Sequence, residues 1–128
     1  MGLDQYARVE DGNKRAERAD TEFALWLDHP NLQGWMEKQW RYTGKTGEFN
    51  NEKVYLTNEI LSELEADIKE TSLPETNGFF YGQNSDEYYK QRLDAADARY
   101  YKEQDLKFVS DARGYINDGY KVYYSSWW

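Results

Sequence analysis

Apolar residues recur along much of the chain at intervals of three and four positions, the spacing that places side chains on one face of a helix. This pattern predicts four helices, over residues 16–28, 31–42, 57–70 and 85–109. Glycine, asparagine and proline cluster between some of them and predict loops over 43–52 and 71–83. Because only a few residues separate the first two helices, these two are expected to pack as a helical hairpin.

Residues at the helix boundaries support this reading. Phe23 and Trp26 share one face of the predicted helix 16–28. That helix is expected to end before Pro30, because the residue preceding a proline is kept out of the helical region. Asn31 and Thr57 are the predicted N-caps of the next two helices, since short polar side chains accept hydrogen bonds from the free N–H groups of a first turn.

Two short segments favour strands. Residues 53–56 and 120–124 are rich in β-branched and aromatic side chains, and an Asn-Asp-Gly turn sequence stands directly before the second. Residues 1–13 are predicted to be an extended segment that ends in a turn. The expected fold is a single domain over residues 1–128, mainly α within the α+β class, with about four helices and a minimal two-strand antiparallel sheet.

Composition and charge narrow the function classes. The absence of cysteine excludes disulfides and thiolate metal sites. A net charge of −8 disfavours direct binding to nucleic acid or to an anionic membrane, and it suits a partner protein with a basic surface. Aromatic residues make up 17% of the chain, so they are expected to fill the core in place of aliphatic residues. No apolar run reaches the roughly 20 residues of a membrane span, and the N-terminus lacks a signal-peptide pattern, so a cytoplasmic location is predicted.

The catalytic signals are weak. Gly44-Lys45-Thr46 matches the end of a phosphate-binding loop, but Gln39 stands where that motif needs a glycine. His29 is the only histidine and cannot form a multi-histidine metal site. No catalytic residue, metal site or cofactor is therefore predicted, although closely spaced carboxylates leave binding of a divalent cation open. An enzyme that uses carboxylates with His29 remains an alternative, and its candidate carboxylates are Glu87, Asp94 and Asp97.

The segment 78–89 is the main candidate for binding a small ligand. Two glycines bracket three aromatic residues there, and two tyrosines stand in the first turn of the next predicted helix. Glycines let a ligand approach the backbone, and aromatic faces stack on a planar ring. The alternative is that the loop folds its aromatic residues into the core. The candidate set, with a tryptophan and an arginine from other predicted helices, is Phe79, Phe80, Tyr81, Tyr88, Tyr89, Trp35 and Arg99.

Two further features are candidates for binding a protein. The outer side of the predicted helix 57–70 is strongly acidic, and most of the net negative charge falls within residues 57–105. Two tryptophans stand last in the sequence, where they either fold into the core or anchor a partner, as tryptophan commonly does at interfaces. The candidate residues are Glu63, Glu65, Asp67, Glu70, Trp127 and Trp128.

Several short motifs follow one another along the chain. They are MGLDQY at 1–6, HPNLQGW at 29–35, GFFYG at 78–82 with DEYY at 86–89, and YSSW at 124–127. Together they resemble a group of small uncharacterised bacteriophage and prophage proteins. The resemblance implies a phage-type origin and a bacterial cytoplasm, and it attaches no activity.

The leading hypothesis is a small acidic binding protein that interferes with a host protein, defence proteins included. One alternative is a protein that sequesters a small nucleotide-like ligand, and another is a carboxylate- or metal-dependent enzyme. The sequence leaves the oligomeric state open.

Overall fold

The computed structural model describes residues 3–10, 21–27, 29–70 and 95–128. Within these ranges the chain forms three helices and one four-stranded antiparallel sheet. The strands are β1 (Asp4–Glu10), β2 (Thr21–Leu27), β3 (Val54–Leu56) and β4 (Lys121–Trp127), and the helices are α1 (Pro30–Tyr42), α2 (Asn58–Lys69) and α3 (Ala95–Asn117). The predicted fold class, mainly α with a two-strand sheet, is therefore wrong, because the sheet also includes β1 and β2.

The strands lie in the order β2-β1-β4-β3. The pairing of the segments 53–56 and 120–124 is confirmed, since Val54 lies opposite Tyr124 and Leu56 opposite Val122. β1 lies at the centre of the sheet and pairs with β4 along its whole length. Its side chains alternate between buried and more exposed positions, which is the two-residue period of a strand with one face against a core.

The predicted helix 16–28 is wrong over Thr21–Leu27, which form strand β2, and the rest of that prediction lies mostly outside the described residues. The pairing register explains the misleading spacing. Between β1 and β2, consecutive residues of β1 pair with Ala24 and Glu22, so Phe23 is an extra residue in a β-bulge. Phe23 and Trp26 consequently both pack against the core although they are three positions apart, which is also the spacing of a helix face.

Pro30 begins a helix instead of ending one. It occupies the first turn of α1, where a proline's missing N–H removes no hydrogen bond of the helix. The N-cap is His29, not Asn31, and no side chain caps this helix end. Helix α1 otherwise covers the predicted segment 31–42.

The prediction for α2 is confirmed. The Thr57 hydroxyl accepts a hydrogen bond from the Ile60 N–H at 3.2 Å, and the buried residues of α2 are Leu61, Leu64 and Ile68. Helix α3 confirms the predicted helix 85–109 from Ala95 onward and continues to Asn117, whereas residues 85–94 and the whole predicted loop 71–83 lie outside the described ranges. The turn before β4 is also confirmed, and it contains Gly119 at a φ of 93°.

The helices cover one face of the sheet, and aromatic residues fill much of the space between the two layers, as composition predicts. Trp26 packs edge-on against Phe108 with ring centroids 4.8 Å apart. Phe49 stacks at 6.4 Å on Tyr124, which points inward from β4. The core includes residues from every element, among them Ala7, Trp26, Leu32, Trp35, Met36, Trp40, Val54, Leu56, Leu61, Leu64, Ile68, Phe108, Val109, Ala112, Val122 and Tyr124. No helix in the described part of the chain is long and apolar enough to cross a membrane.

Candidate binding surfaces

One side of α2 carries a row of exposed carboxylates. Glu59, Glu63, Ala66 and Glu70 are all exposed and fall within about 60° of the helix circumference, given 3.6 residues per turn. We call these four residues the acidic stripe. None of its three carboxylates forms an ion pair with another described residue. The negative charge of the stripe is therefore not neutralised by any described side chain.

The other two acidic candidates of this helix serve the fold. Arg113 of α3 donates to Glu65 Oε2 at 2.5 Å, and this hydrogen bond holds the pKa of the Glu65 carboxyl below its ordinary value. Trp35 donates its indole N–H to Asp67 Oδ2 at 2.8 Å, which ties α2 to α1. The four predicted carboxylates thus divide into two that join helices and two, Glu63 and Glu70, that belong to the acidic stripe.

The charges of the acidic stripe act on its helix in both directions, since Glu59 in the first turn favours the helix dipole while the other two do not. Glu59 and Glu63 are four residues apart, and like charges at this spacing destabilise a helix by roughly 0.2–0.5 kcal/mol. Glu70 is the C-cap, where a negative charge opposes the helix dipole. No ion pair with the described parts of the chain offsets these charges.

The two C-terminal tryptophans have different environments. Trp128 is held by the loop after α1, because its indole N–H donates to the Phe49 carbonyl at 2.8 Å and its backbone exchanges hydrogen bonds with the Asn50 side chain. Trp127 is 58% exposed and points away from the helices. The prediction offered core or interface for both residues, whereas the structure gives Trp128 an anchoring role and leaves Trp127 accessible.

Trp127 belongs to the outer face of the sheet, the face opposite the helices. Leu25 is half-exposed on the same face, in register with Tyr6. The Arg8 guanidinium lies 4.0 Å from the centre of the Tyr6 ring. The edge of the Tyr55 ring meets Tyr123 at 5.8 Å. This face therefore combines apolar and aromatic groups with charges of both signs, because Arg8 also pairs with Glu22 at 3.8 Å.

The structure describes the side chain of only one of the seven residues in the predicted ligand-binding set, so the set as a whole stays a prediction. Phe79, Phe80, Tyr81, Tyr88 and Tyr89 lie outside the described residues. Arg99 lies in α3, but its side chain is likewise outside what the structure describes. The remaining member of the set is Trp35 of α1. It is only 5% exposed and packs in the core, so its ring faces are not available for stacking on a ligand.

His29 has a buried carboxylate partner. Its Nε2 lies 2.8 Å from Asp105 Oδ2, and Trp26 donates its indole N–H to Asp105 Oδ1 at 3.0 Å. The side chain of Gln5 brackets the His29 backbone, accepting from its N–H at 2.8 Å and donating to its carbonyl at 3.0 Å. Gln5 also donates to the hydroxyl of Tyr124 at 2.9 Å. These groups form one buried network that joins β1, β2, α3 and β4.

In composition the network resembles the histidine–carboxylate pair of a catalytic site, but its buried position favours a structural role. The side chains of His29 and Asp105 are only 3% and 2% exposed, so a substrate does not reach them in this conformation. The carboxylates of the alternative enzyme hypothesis stay untested: Glu87 and Asp94 lie outside the described residues, and the Asp97 side chain is not described. Within the described ranges, no three metal-ligating side chains are grouped so that they could hold a metal ion.

Sequence reasoning missed the partner of His29. Asp105 is separated from it by 76 residues, and it stands within a helical pattern that gives no sign of burial. The rejection of a phosphate-binding loop at Gly44-Lys45-Thr46 is consistent with the structure, because this segment follows a helix and not a strand. No protein-family model, curated protein or solved structure matches the chain.

Proposed function

We propose that this protein is a non-enzymatic, phage-type binding protein that interferes with a host protein by engaging a basic surface on it. The proposal requires a bacterial cytoplasm as the location. Its support is the resemblance of the sequence motifs to small phage proteins, together with the arrangement of charge on α2.

The acidic stripe is the observation that carries the proposal. Acidic groups that serve the fold are paired, as Glu65 is with Arg113. Glu59, Glu63 and Glu70 instead remain exposed at positions where two of them repel each other and the third opposes the helix dipole. A basic partner surface would remove this repulsion on binding. Exposed charges of this kind mainly increase the association rate and select partners of opposite charge.

The experiment compares two variants with the same change in net charge. In the stripe variant, Glu59, Glu63 and Glu70 are replaced by glutamine. In the control variant, three exposed acidic residues outside the acidic stripe are replaced by their amides, and these are Glu48→Gln, Glu103→Gln and Asp118→Asn. Each protein is used as bait in a bacterial host lysate. Affinity for any captured protein is then measured with purified components at several salt concentrations.

We expect the unmodified protein and the control variant to bind the same partner, and the stripe variant to bind at least about tenfold more weakly. Affinity of the unmodified protein should fall steeply as salt rises, because exposed charges are screened. Equal binding by both variants, or an affinity independent of salt, would show that the acidic stripe is not the interface. The outer face around Trp127 would then be the next surface to test.

A further inference from the structure

A cleft separates the C-terminal end of α1 from strand β3 and the start of α2. It has a volume of about 580 Å³, which is within the usual range of small-molecule sites. The loop after α1 forms one wall, and the exposed side of β3 forms another. We call it the Trp40 cleft, and the lining residues used below are Trp40, Lys45, Lys53, Val54, Tyr55 and Ile60.

Trp40 lines this cleft and carries an unsatisfied hydrogen-bond donor. Its side chain is only 4% exposed, and its indole N–H is buried with no acceptor in the described parts of the chain. Three other indoles contrast with it: the N–H groups of Trp26, Trp35 and Trp128 all donate to protein oxygens. Because a buried donor without an acceptor is costly, an acceptor atom on a ligand would be stabilising here.

The indole of Trp40 is fixed in place by its neighbours. Its ring packs against Phe49 with ring centroids 5.2 Å apart, and the Arg41 guanidinium lies over the Trp40 ring, 5.3 Å from the ring centre. The Thr43 hydroxyl donates to the Trp40 carbonyl, which closes the end of α1. The ring therefore keeps its position without help from a ligand, and its buried N–H is open to a ligand oxygen only when the adjoining wall of the cleft shifts.

The charge of the cleft is opposite to that of the protein as a whole. Lys45 and Lys53 line it against a single carboxylate, that of Glu52. Lys45 is exposed, and none of the described residues forms an ion pair with it. Val54 and Ile60 supply apolar lining, and the half-exposed ring of Tyr55 supplies an aromatic wall.

We infer that the Trp40 cleft binds a small organic anion, a phosphate or carboxylate group carried on a planar and mainly apolar body. The anionic group would meet the lysine ammonium groups and accept from the indole N–H, while the planar body packs against Tyr55 and Ile60. This site is separate from the acidic stripe, because none of its lining residues belongs to the stripe. It shares no lining residue with the ligand set predicted around 78–89.

Heteronuclear NMR of the isotope-labelled protein tests this inference at the donor itself. The indole N–H signals of the tryptophans are recorded during titration with four probes, which are AMP, adenosine, benzoate and inorganic phosphate. The Trp40→Phe variant identifies the Trp40 signal by its loss. Sequential assignment of the unmodified protein serves the same purpose if that variant does not fold. AMP and benzoate distinguish a phosphate from a carboxylate head group. Adenosine shows how well a planar ring binds to the cleft when it carries no anionic group.

We expect AMP or benzoate to move the Trp40 indole signal saturably, and adenosine to leave it unchanged. Lys45→Ala should weaken binding about fivefold, whereas Lys107→Ala, an exposed lysine outside the cleft, should not. Absence of a saturable change with both anions up to about 10 mM would overturn the inference. It would equally be overturned if Lys45→Ala bound as tightly as the unmodified protein, or if adenosine bound as well as AMP.

Discussion

Replacing Asp105 by alanine tests whether the buried polar network holds the sheet to α3. The carboxylate accepts from the Trp26 indole at 3.0 Å and lies 2.8 Å from His29 Nε2, and the Asp105 residue is only 1% exposed. Alanine removes both oxygens and leaves the two ring N–H groups without this acceptor in a buried site. A buried donor left without its acceptor costs about 1–3 kcal/mol, so the two donors together should cost about 2–6 kcal/mol. Since a domain of this size is stable by roughly 5–15 kcal/mol, the loss would be a large share of the total.

The assay is urea unfolding, monitored by tryptophan fluorescence and by circular dichroism. We expect the midpoint to fall while the slope with urea stays the same, which is the sign of a change in stability alone. Asp105→Asn should cost less than alanine because one carbonyl acceptor remains. Glu103→Ala on the same helix is the matched control, since Glu103 is exposed, and it should change stability by no more than about 0.5 kcal/mol. A loss below about 1 kcal/mol for Asp105→Ala would refute the assignment of a structural role to the network.

Two further predictions concern charge and backbone conformation. The pKa of Glu65 is lowered in the folded protein, so the ionised carboxylate stabilises the fold. This stabilisation is fully present when the pH is above the unfolded pKa of about 4.5, and it is lost as the pH falls through the lower folded pKa. Glu65→Gln should therefore cost up to about 1 kcal/mol at neutral pH and progressively less in acid, and a cost independent of pH would contradict this reading. Gly119→Ala should destabilise the protein by about 1–2 kcal/mol, because Gly119 has a φ of 93°, which disfavours a side chain even though a Cβ would have free space there. Gly114→Ala is the contrasting variant. Gly114 lies within α3 and is equally unobstructed, so alanine should stabilise the protein by about 0.5–1 kcal/mol. Thermal unfolding of both variants measures this contrast, and an equal change in the two would mean that backbone conformation is not the cause.

The two proposed sites differ in the chemistry of their partners. The acidic stripe is convex and charged, and it suits the broad surface of a basic protein. The Trp40 cleft is concave, contains cationic and apolar groups, and suits a small anion. Because the two proposals rest on different residues, failure of one leaves the other standing. The buried pair of His29 and Asp105 supports neither, and its burial explains why a lone histidine in this sequence does not indicate an enzyme.

Local sequence signals determined the middle of the chain. The cap at Thr57, the apolar stripe of α2, the short strand β3 and the turn at Gly119 each depend on residues within a few positions of one another, and all were predictable. The same holds for α1, although the role of Pro30 at its start was reversed. A proline is compatible with the first turn of a helix as well as with the end of another, so the local pattern alone does not choose between them.

Tertiary structure decided what depends on distant residues. Strand β2 shares its apolar spacing with a helix face, and only its pairing with β1, including the bulge at Phe23, makes it a strand. The same applies to the partner of His29, and to the difference between Glu65, which is paired, and Glu63, which is exposed. Hydrogen bonds across a sheet and contacts between helices join residues far apart in the chain, so the spacing of neighbouring residues does not predict them. The sequence therefore determined where the chain can form helices and turns, and the packing of the two layers determined which segments became strands and which side chains remained free to bind.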